Sequence, residues 1–290
     1  MLVRVIGVVA IVTAYVSAIV LPVKRDGTSV LSAARIAAFE PYAGFATAAF
    51  CPPTKTIDWS CGKNCDINPA FIPTASGGDG GLTHSVVVGH QGTNTSNFLA
   101  VLVDANFVLT PLNSTLFPGL PSSILVHDGF ENSHANSALT VLAAVKAAIA
   151  RFDTTSVTVV GHSLGAALAL LDGVFLQLHL SSEASVQTIG FGMPRVGNQE
   201  WADYVDAHLN VTHVNNKQDP IPVLPPIFLG YHHPSGEIHI EDSGAWVSCL
   251  GQDNPSPHCS HGDVANIFEW NATDHLGPYD GVIMGCRHSS

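Results

Sequence analysis

The sequence predicts an α/β fold, a mostly parallel central sheet with helices packed on both faces. Three observations carry that expectation. From Val86 onward, apolar runs of strand length alternate with longer stretches of helical periodicity. Successive strand–helix–strand units close as right-handed crossovers, three of them here, which lay the strands parallel and cover the sheet on both sides. Finally, Gly161-His162-Ser163-Leu164-Gly165 joins an apolar run to an Ala/Leu-rich one, a strand–turn–helix junction that presents a serine above a sheet edge. With 290 residues, 46% apolar and only 12% charged, the chain has material for a large core and no composition of disorder.

The elements follow in chain order. Residues 1–18 combine Arg4, an apolar run from Val5 to Val12 and a small-residue end at Val16-Ser17-Ala18, which reads as a secretory signal peptide. The apolar stretch is short and ends at Pro22, which argues against a spanning anchor. Lys24-Arg25 reads as a dibasic site, so 19–25 is expected to be a short propeptide and 26–290 a single α/β domain. Ser29 to Phe50 predicts one helix lying across the fold, and the Cys/Pro/Gly-rich stretch from Cys51 to Gly81 predicts loop. Beyond the strand at Val86 come a short strand at 124–127 and a helix from about 136 to 151. Leu139, Leu142, Val145 and Ile149 lie on one face of that helix. Strand 156–160, helix 164–178, strand 186–191, helix 198–208 capped by Asn198, and strand 211–215 complete the alternation.

Charge and cysteine content narrow the function. The net charge of −12 lacks the basic footprint that nucleic-acid binding needs, and it does not favour docking on acidic membranes. Six cysteines, Cys51, Cys61, Cys65, Cys249, Cys259 and Cys286, suit an oxidising compartment and three disulfides, with the connectivity open on residues alone. A metal at His258-Cys259-Ser260-His261 is the weaker interpretation, because secreted thiols are normally oxidised. Sequons at Asn94, Asn113, Asn210 and Asn271 agree with a secreted glycoprotein.

The chemistry centres on Ser163. A strand running directly into a helix brings backbone so close that both flanking positions are glycine, and the helix start offers N–H groups to a developing oxyanion. The bland alternative is a Gly-rich turn with an idle serine. A serine hydroxyl is a poor nucleophile unless a histidine takes its proton and a carboxylate orients that histidine. In sheets with this junction the order is serine, acid, histidine. Asp219 follows strand 211–215, in a loop that Pro220, Pro222, Pro225 and Pro226 stiffen. Asp172, Asp203 and Asp206 are weaker candidates because they fall on helices. Of the histidines beyond Asp219, His239 sits in a strand pattern, and His258 and His261 in a cysteine loop. His275, on a turn near the C-terminus, fits the order best. The oxyanion donors are expected from the N–H of Leu164 and from Thr93, after the strand Val86-Val87-Val88-Gly89.

Taken together, several motifs resemble the secreted fungal class 3 lipases, a branch of the α/β-hydrolase fold that also includes feruloyl esterases. They are Gly92-Thr93, His127-Asp128-Gly129-Phe130, the 161–165 pentapeptide and Gly192-Met193-Pro194-Arg195-Val196-Gly197-Asn198. Asp219-Pro220-Ile221-Pro222, His233-Pro234-Ser235-Gly236-Glu237 and Asp274-His275-Leu276 follow, so the resemblance spans nearly all of the mature chain. It implies Ser163, Asp219 and His275 as a triad, Thr93 and Leu164 as the oxyanion hole, and disulfides 51–286, 61–65 and 249–259. It also implies a lid after Thr93, over Asn94 to Val103. One departure stands out. The segment between Cys65 and Val86 is shorter than a strand hairpin these enzymes usually carry, which predicts the loss of an edge strand.

The expected activity is that of a secreted triacylglycerol lipase, a carboxylic-ester hydrolase working through an acyl-enzyme as a monomer. Its partners would be an ester lipid and a transient lipid–water interface, without nucleic acid, stable membrane insertion, metal or cofactor. The alternatives are a feruloyl or general carboxylesterase, and a non-catalytic lipid-binding or misfolded variant.

Overall fold

The computed structural model describes residues 27–75, 79–82, 85–93, 107–264 and 270–286. The proposed signal peptide, the propeptide, the lid segment and Asn94 lie outside them. Thirteen strands are present among the described residues. In chain order they are β1 (Thr28–Val30), β2 (Ile72–Ala75), β3 (Asp79–Leu82), β4 (Ser85–His90), β5 (Leu109–Pro111), β6 (Leu125–His127) and β7 (Ser156–His162). The remainder are β8 (Ser185–Phe191), β9 (Gly197–Asn198), β10 (Asn210–Asn216), β11 (Tyr231–His232), β12 (Glu237–Ile240) and β13 (Trp246–Cys249).

Nine of them form one sheet in the order β1-β13-β12-β10-β8-β7-β4-β3-β2. The centre, from β12 to β4, is parallel throughout, and antiparallel strands extend it at both ends. This is the α/β-hydrolase arrangement, and period-two side-chain alternation shows how it fills both faces. Val86, Val88, Val157, Val159, Val186 and Val211 join one core with the helices Ala138–Phe152, Leu164–His179 and Gln199–His208. Val87, Val160, Ile189, Phe191 and Val214 join a second core on the opposite face, against the helix Glu40–Ala48.

Several expectations change. The predicted helix over 29–50 is a strand followed by two helices, Ala33–Ala37 and Glu40–Ala48; Pro41, which lacks an N–H, stands in the first turn of the second. The predicted helix from about 136 to 151 is present as Ala138–Phe152, but a further helix, Asp128–Ala135, precedes it, and Leu139 is 65% exposed instead of facing the core. The 124–127 segment is a strand, but its partners are β5 and β9 in a separate antiparallel sheet, ordered β11-β9-β6-β5. β4 is the strand that pairs with β7.

The predicted loss of an edge strand is also corrected. β2 and β3 form a short hairpin that pairs onto β4, with Asp79 opposite Val88 and Leu82 opposite Ser85. Glycines 80 and 81 hide it from a propensity argument, because pairing to a buried neighbour, and not side-chain preference, holds this strand. The disulfides are 51–286, 61–65 and 249–259, as the resemblance implied; the first ties the N-terminal helical region to the end of the described chain. Asn113, Asn210 and Asn271 are exposed, as glycan acceptors must be.

Candidate active site

Ser163 sits where β7 becomes the helix Leu164–His179, with φ +63° and ψ −129°. Such a backbone is costly for a residue with a Cβ and persists only where its surroundings enforce it. They do so by contact. A Cβ on Gly161 would lie 2.1 Å from the carbonyl oxygen of Gly165, and one on Gly165 would lie 2.3 Å from that of His90. The Ser163 amide donates to the Phe191 carbonyl at 2.9 Å, which fixes the turn to β8. Its Oγ is buried and makes no hydrogen bond among the described residues. Catalytic hydrogen bonds commonly tighten only when substrate is bound.

Asp219 follows β10 and is almost wholly buried. Its Oδ1 accepts from the Ile221 amide at 2.9 Å and its Oδ2 from His275 Nδ1 at 2.8 Å. With its Nδ1 proton held there, a neutral His275 ring carries its lone pair on Nε2, the position a general base needs. His275 lies on the single turn Asp274–Leu276, which is tied to the acid loop: Asn216 Nδ2 donates to the Asp274 carbonyl at 2.9 Å, and the Asn271 amide to that of Gln218. Gly192, at φ +53°, leaves room for the pair, since a Cβ there would lie 2.9 Å from both Asp219 Oδ2 and His275 Nδ1.

Three supporting residues escape the sequence argument. His162 is fully enclosed; its Nε2–H donates to the His275 carbonyl at 2.7 Å, and its ring packs 4.3 Å from the His275 ring. Burial, and then the neighbouring imidazole, holds its pKa well below the ordinary value, so it is neutral. Tyr279 donates to the same carbonyl at 3.2 Å. Buried Arg195 donates to the carbonyls of Val223 and Pro225 and pairs through Nε with Asp253 at 2.8 Å, pinning the far side of the acid loop. The Gly-x-Ser-x-Gly spelling leaves its first x unconstrained, and Arg195 stands in a matched motif without a stated role. The contacts of His162 and Arg195 span long sequence separations that periodicity does not report.

Thr93 is half-buried at the end of the segment after β4, and Leu164 opens the helix after Ser163. The chain just before Thr93 meets the elbow closely, because a Cβ on Gly92 would lie 2.6 Å from the His162 carbonyl and 3.3 Å from Ser163 Cβ.

The rejected candidates have other partners. Asp172 is buried between His90 and His134. Asp203 and Asp206 are exposed and bond Gln199, Gln252 and Ser235. His239 bonds Ser260 Oγ and Asp263 at 3.0 and 3.1 Å, a second serine–histidine–aspartate set. His239 and Ser260 are buried in the core, and Ser260 Oγ already accepts from Asn215 Nδ2. Cys259 is in a disulfide, which removes it as a metal ligand.

The class 3 lipase family model matches residues 87–229, which hold the elbow, Thr93 and Asp219. A secreted mono- and diacylglycerol lipase of Malassezia restricta is 30% identical over 260 residues, covering 88% of this chain and 82% of its own length. The chain belongs to the class 3 lipase family. Two secreted mono- and diacylglycerol lipases of Malassezia globosa are 31% and 34% identical over 204 residues. The match takes in 69% of this chain and 63% and 65% of theirs, so the chain spans just under two thirds of those relatives. Among solved structures, lipase II from Rhizopus niveus matches with a TM-score of 0.73 at 25% identity, over 89% of this chain and 99% of that one. The Rhizomucor miehei triacylglyceride lipase matches with a TM-score of 0.75 at 24% identity, over 89% and 98%, a likeness of fold.

Proposed function

We propose that the chain is a secreted ester hydrolase acting on acylglycerols at a lipid–water interface, with residues 1–18 as signal peptide, 19–25 as propeptide and 26–290 as a single monomeric domain. Ser163 Oγ attacks the ester carbonyl carbon while its proton passes to His275 Nε2. The N–H groups of Thr93 and Leu164 receive the negative charge on the carbonyl oxygen. The tetrahedral species collapses, the bond to the alcohol breaks, and His275 gives that proton to the leaving oxygen. An acyl group is left on Ser163. Water then repeats the sequence, with His275 taking its proton and returning it to Ser163 Oγ as the acid departs. Asp219 orients His275 throughout and stabilises its charged form. None of these steps calls for a metal or cofactor.

The observation that carries this proposal is the enforced turn at Ser163 beside a buried 2.8 Å bond from His275 Nδ1 to Asp219. The substrate class is supported by the relatives' names, mono- and diacylglycerol lipases by sequence and triacylglycerol lipases by fold. Initial rates on tributyrin emulsion, on mono- and diolein and on methyl ferulate test it. The expected result is rapid glyceride hydrolysis that rises above the substrate's solubility limit, weak turnover of the ferulate, and no activity in Ser163→Ala. Faster hydrolysis of methyl ferulate than of any glyceride would overturn the substrate class.

A further inference from the structure

Asp172 lies on the helix that begins at Ser163, and its side chain has no exposure. Both of its oxygens are taken: Oδ2 pairs with His90 Nε2 at 2.5 Å and Oδ1 with His134 Nε2 at 2.7 Å; the His134 side chain is fully enclosed and that of His90 is 8% exposed. His134 Nδ1 is buried without a hydrogen-bond partner, so Nε2–H is the ring's donor to Asp172. A buried carboxylate is costly to desolvate, and a well-packed apolar group would serve stability at least as well. What a paired one can add is a fixed direction between two elements.

The two elements matter here. His90 ends β4, opposite Gly161 in the parallel ladder, and opens the segment that leads to Thr93. Its carbonyl presses on Gly165, and Gly92 presses on the His162 carbonyl, so backbone meets backbone along 90–92 and 161–165. The ladder pairing itself ends at His90. The His90 side chain adds a further restraint at that end by reaching across to the helix.

We propose that His90 and Asp172 are positioning residues: a buried clamp that sets the 90–93 segment, and with it the Thr93 N–H, against the first turn of the Ser163 helix. His134 occupies the other carboxylate oxygen and ties the helix Asp128–Ala135 to the same point. The clamp rests on the assignment of Ser163 and Thr93 above. Its leverage is large because misplacing a catalytic group by about 1 Å costs on the order of 10²-fold, and losing one oxyanion donor costs about 10²–10³-fold.

The test uses the full secreted chain, with active sites counted by fluorophosphonate titration taken to completion. In His90→Leu, kcat per active site on p-nitrophenyl butyrate should fall roughly ten- to hundredfold with KM within about twofold. Ki for butaneboronic acid, a tetrahedral mimic of the oxyanion, should rise by the same factor. His90→Gln, whose amide N–H can reach Asp172, should recover kcat to within about threefold. A merely structural residue would change the melting temperature and the count of active sites, but not Ki. Per-site kcat and Ki within about twofold of wild type in His90→Leu would overturn the clamp. Should that variant not accumulate, His90→Asn, too short to reach the carboxylate, faces the same two outcomes. Wild type that neither hydrolyses ester nor takes label would remove the Ser163 assignment itself, and the clamp with it.

Discussion

At the scale of single residues, the site depends on side chains that are absent as much as on those present. Gly192 is the clearest instance, because a methyl group there meets both atoms of the Asp219–His275 bond at 2.9 Å. Gly192→Ala should therefore lower kcat ten- to hundredfold, with KM little altered, when steady-state rates on p-nitrophenyl butyrate are compared. An unchanged kcat would mean that the pair does not set the rate. Ser163 was legible from its five-residue context, since the flanking glycines follow from local backbone crowding. Asp219 and His275 were legible from order and from the resemblance, and the 2.8 Å bond now joins them. His162, His90 and Asp172 were not: His90 meets Asp172 across 82 positions, and no local period encodes that meeting.

Among elements, the loops that carry Asp219 and His275 are held from outside. Arg195 is buried, and its guanidinium links the carbonyls of Val223 and Pro225 to Asp253, whose Oδ2 also accepts from the His233 amide. Burial alone would raise the Asp253 pKa, yet the guanidinium outweighs it and holds the carboxyl below its usual value. Arg195→Met should cost about 3–5 kcal/mol, because it leaves Asp253 buried without its cation. The measurement is a shift in the urea midpoint at constant slope. A loss below about 1 kcal/mol would mean that solvent already screens the pair. The strand–helix alternation from β7 to β10 was readable because short runs rich in Val, Ile and Thr stand between longer stretches of helical periodicity. The β2–β3 hairpin and the small second sheet were not, as glycine-rich and two-residue strands carry almost no propensity signal and form because a neighbour offers hydrogen bonds.

For the whole molecule, buried histidines decide how stability answers to acid. His162, His213 and His233 have lowered pKa values, by desolvation first; for His162 and His233 a neighbouring imidazole adds to it. The unfolded chain takes up protons near pH 6.5 that the native one refuses, so stability is retained above that value and lost as pH falls below it. Asp172 responds in a lower window. Burial would raise its pKa, but His90 and His134 hold it down at about 2, so its contribution is present above the ordinary value of 3.8 and is lost between there and about pH 2. Urea midpoints should therefore be level above about pH 7 and decline in two stages, the first beginning near 6.5. A flat midpoint between pH 7 and 5 would contradict the neutral assignment of these rings. The fold, the enforced turn and the buried pair all converge on one oxygen atom, and intact-mass and peptide mass spectrometry after fluorophosphonate treatment address it directly. One adduct per molecule is expected, mapped to Ser163 and lost in both Ser163→Ala and His275→Ala. An adduct on another residue, or none on active protein, would contradict the account.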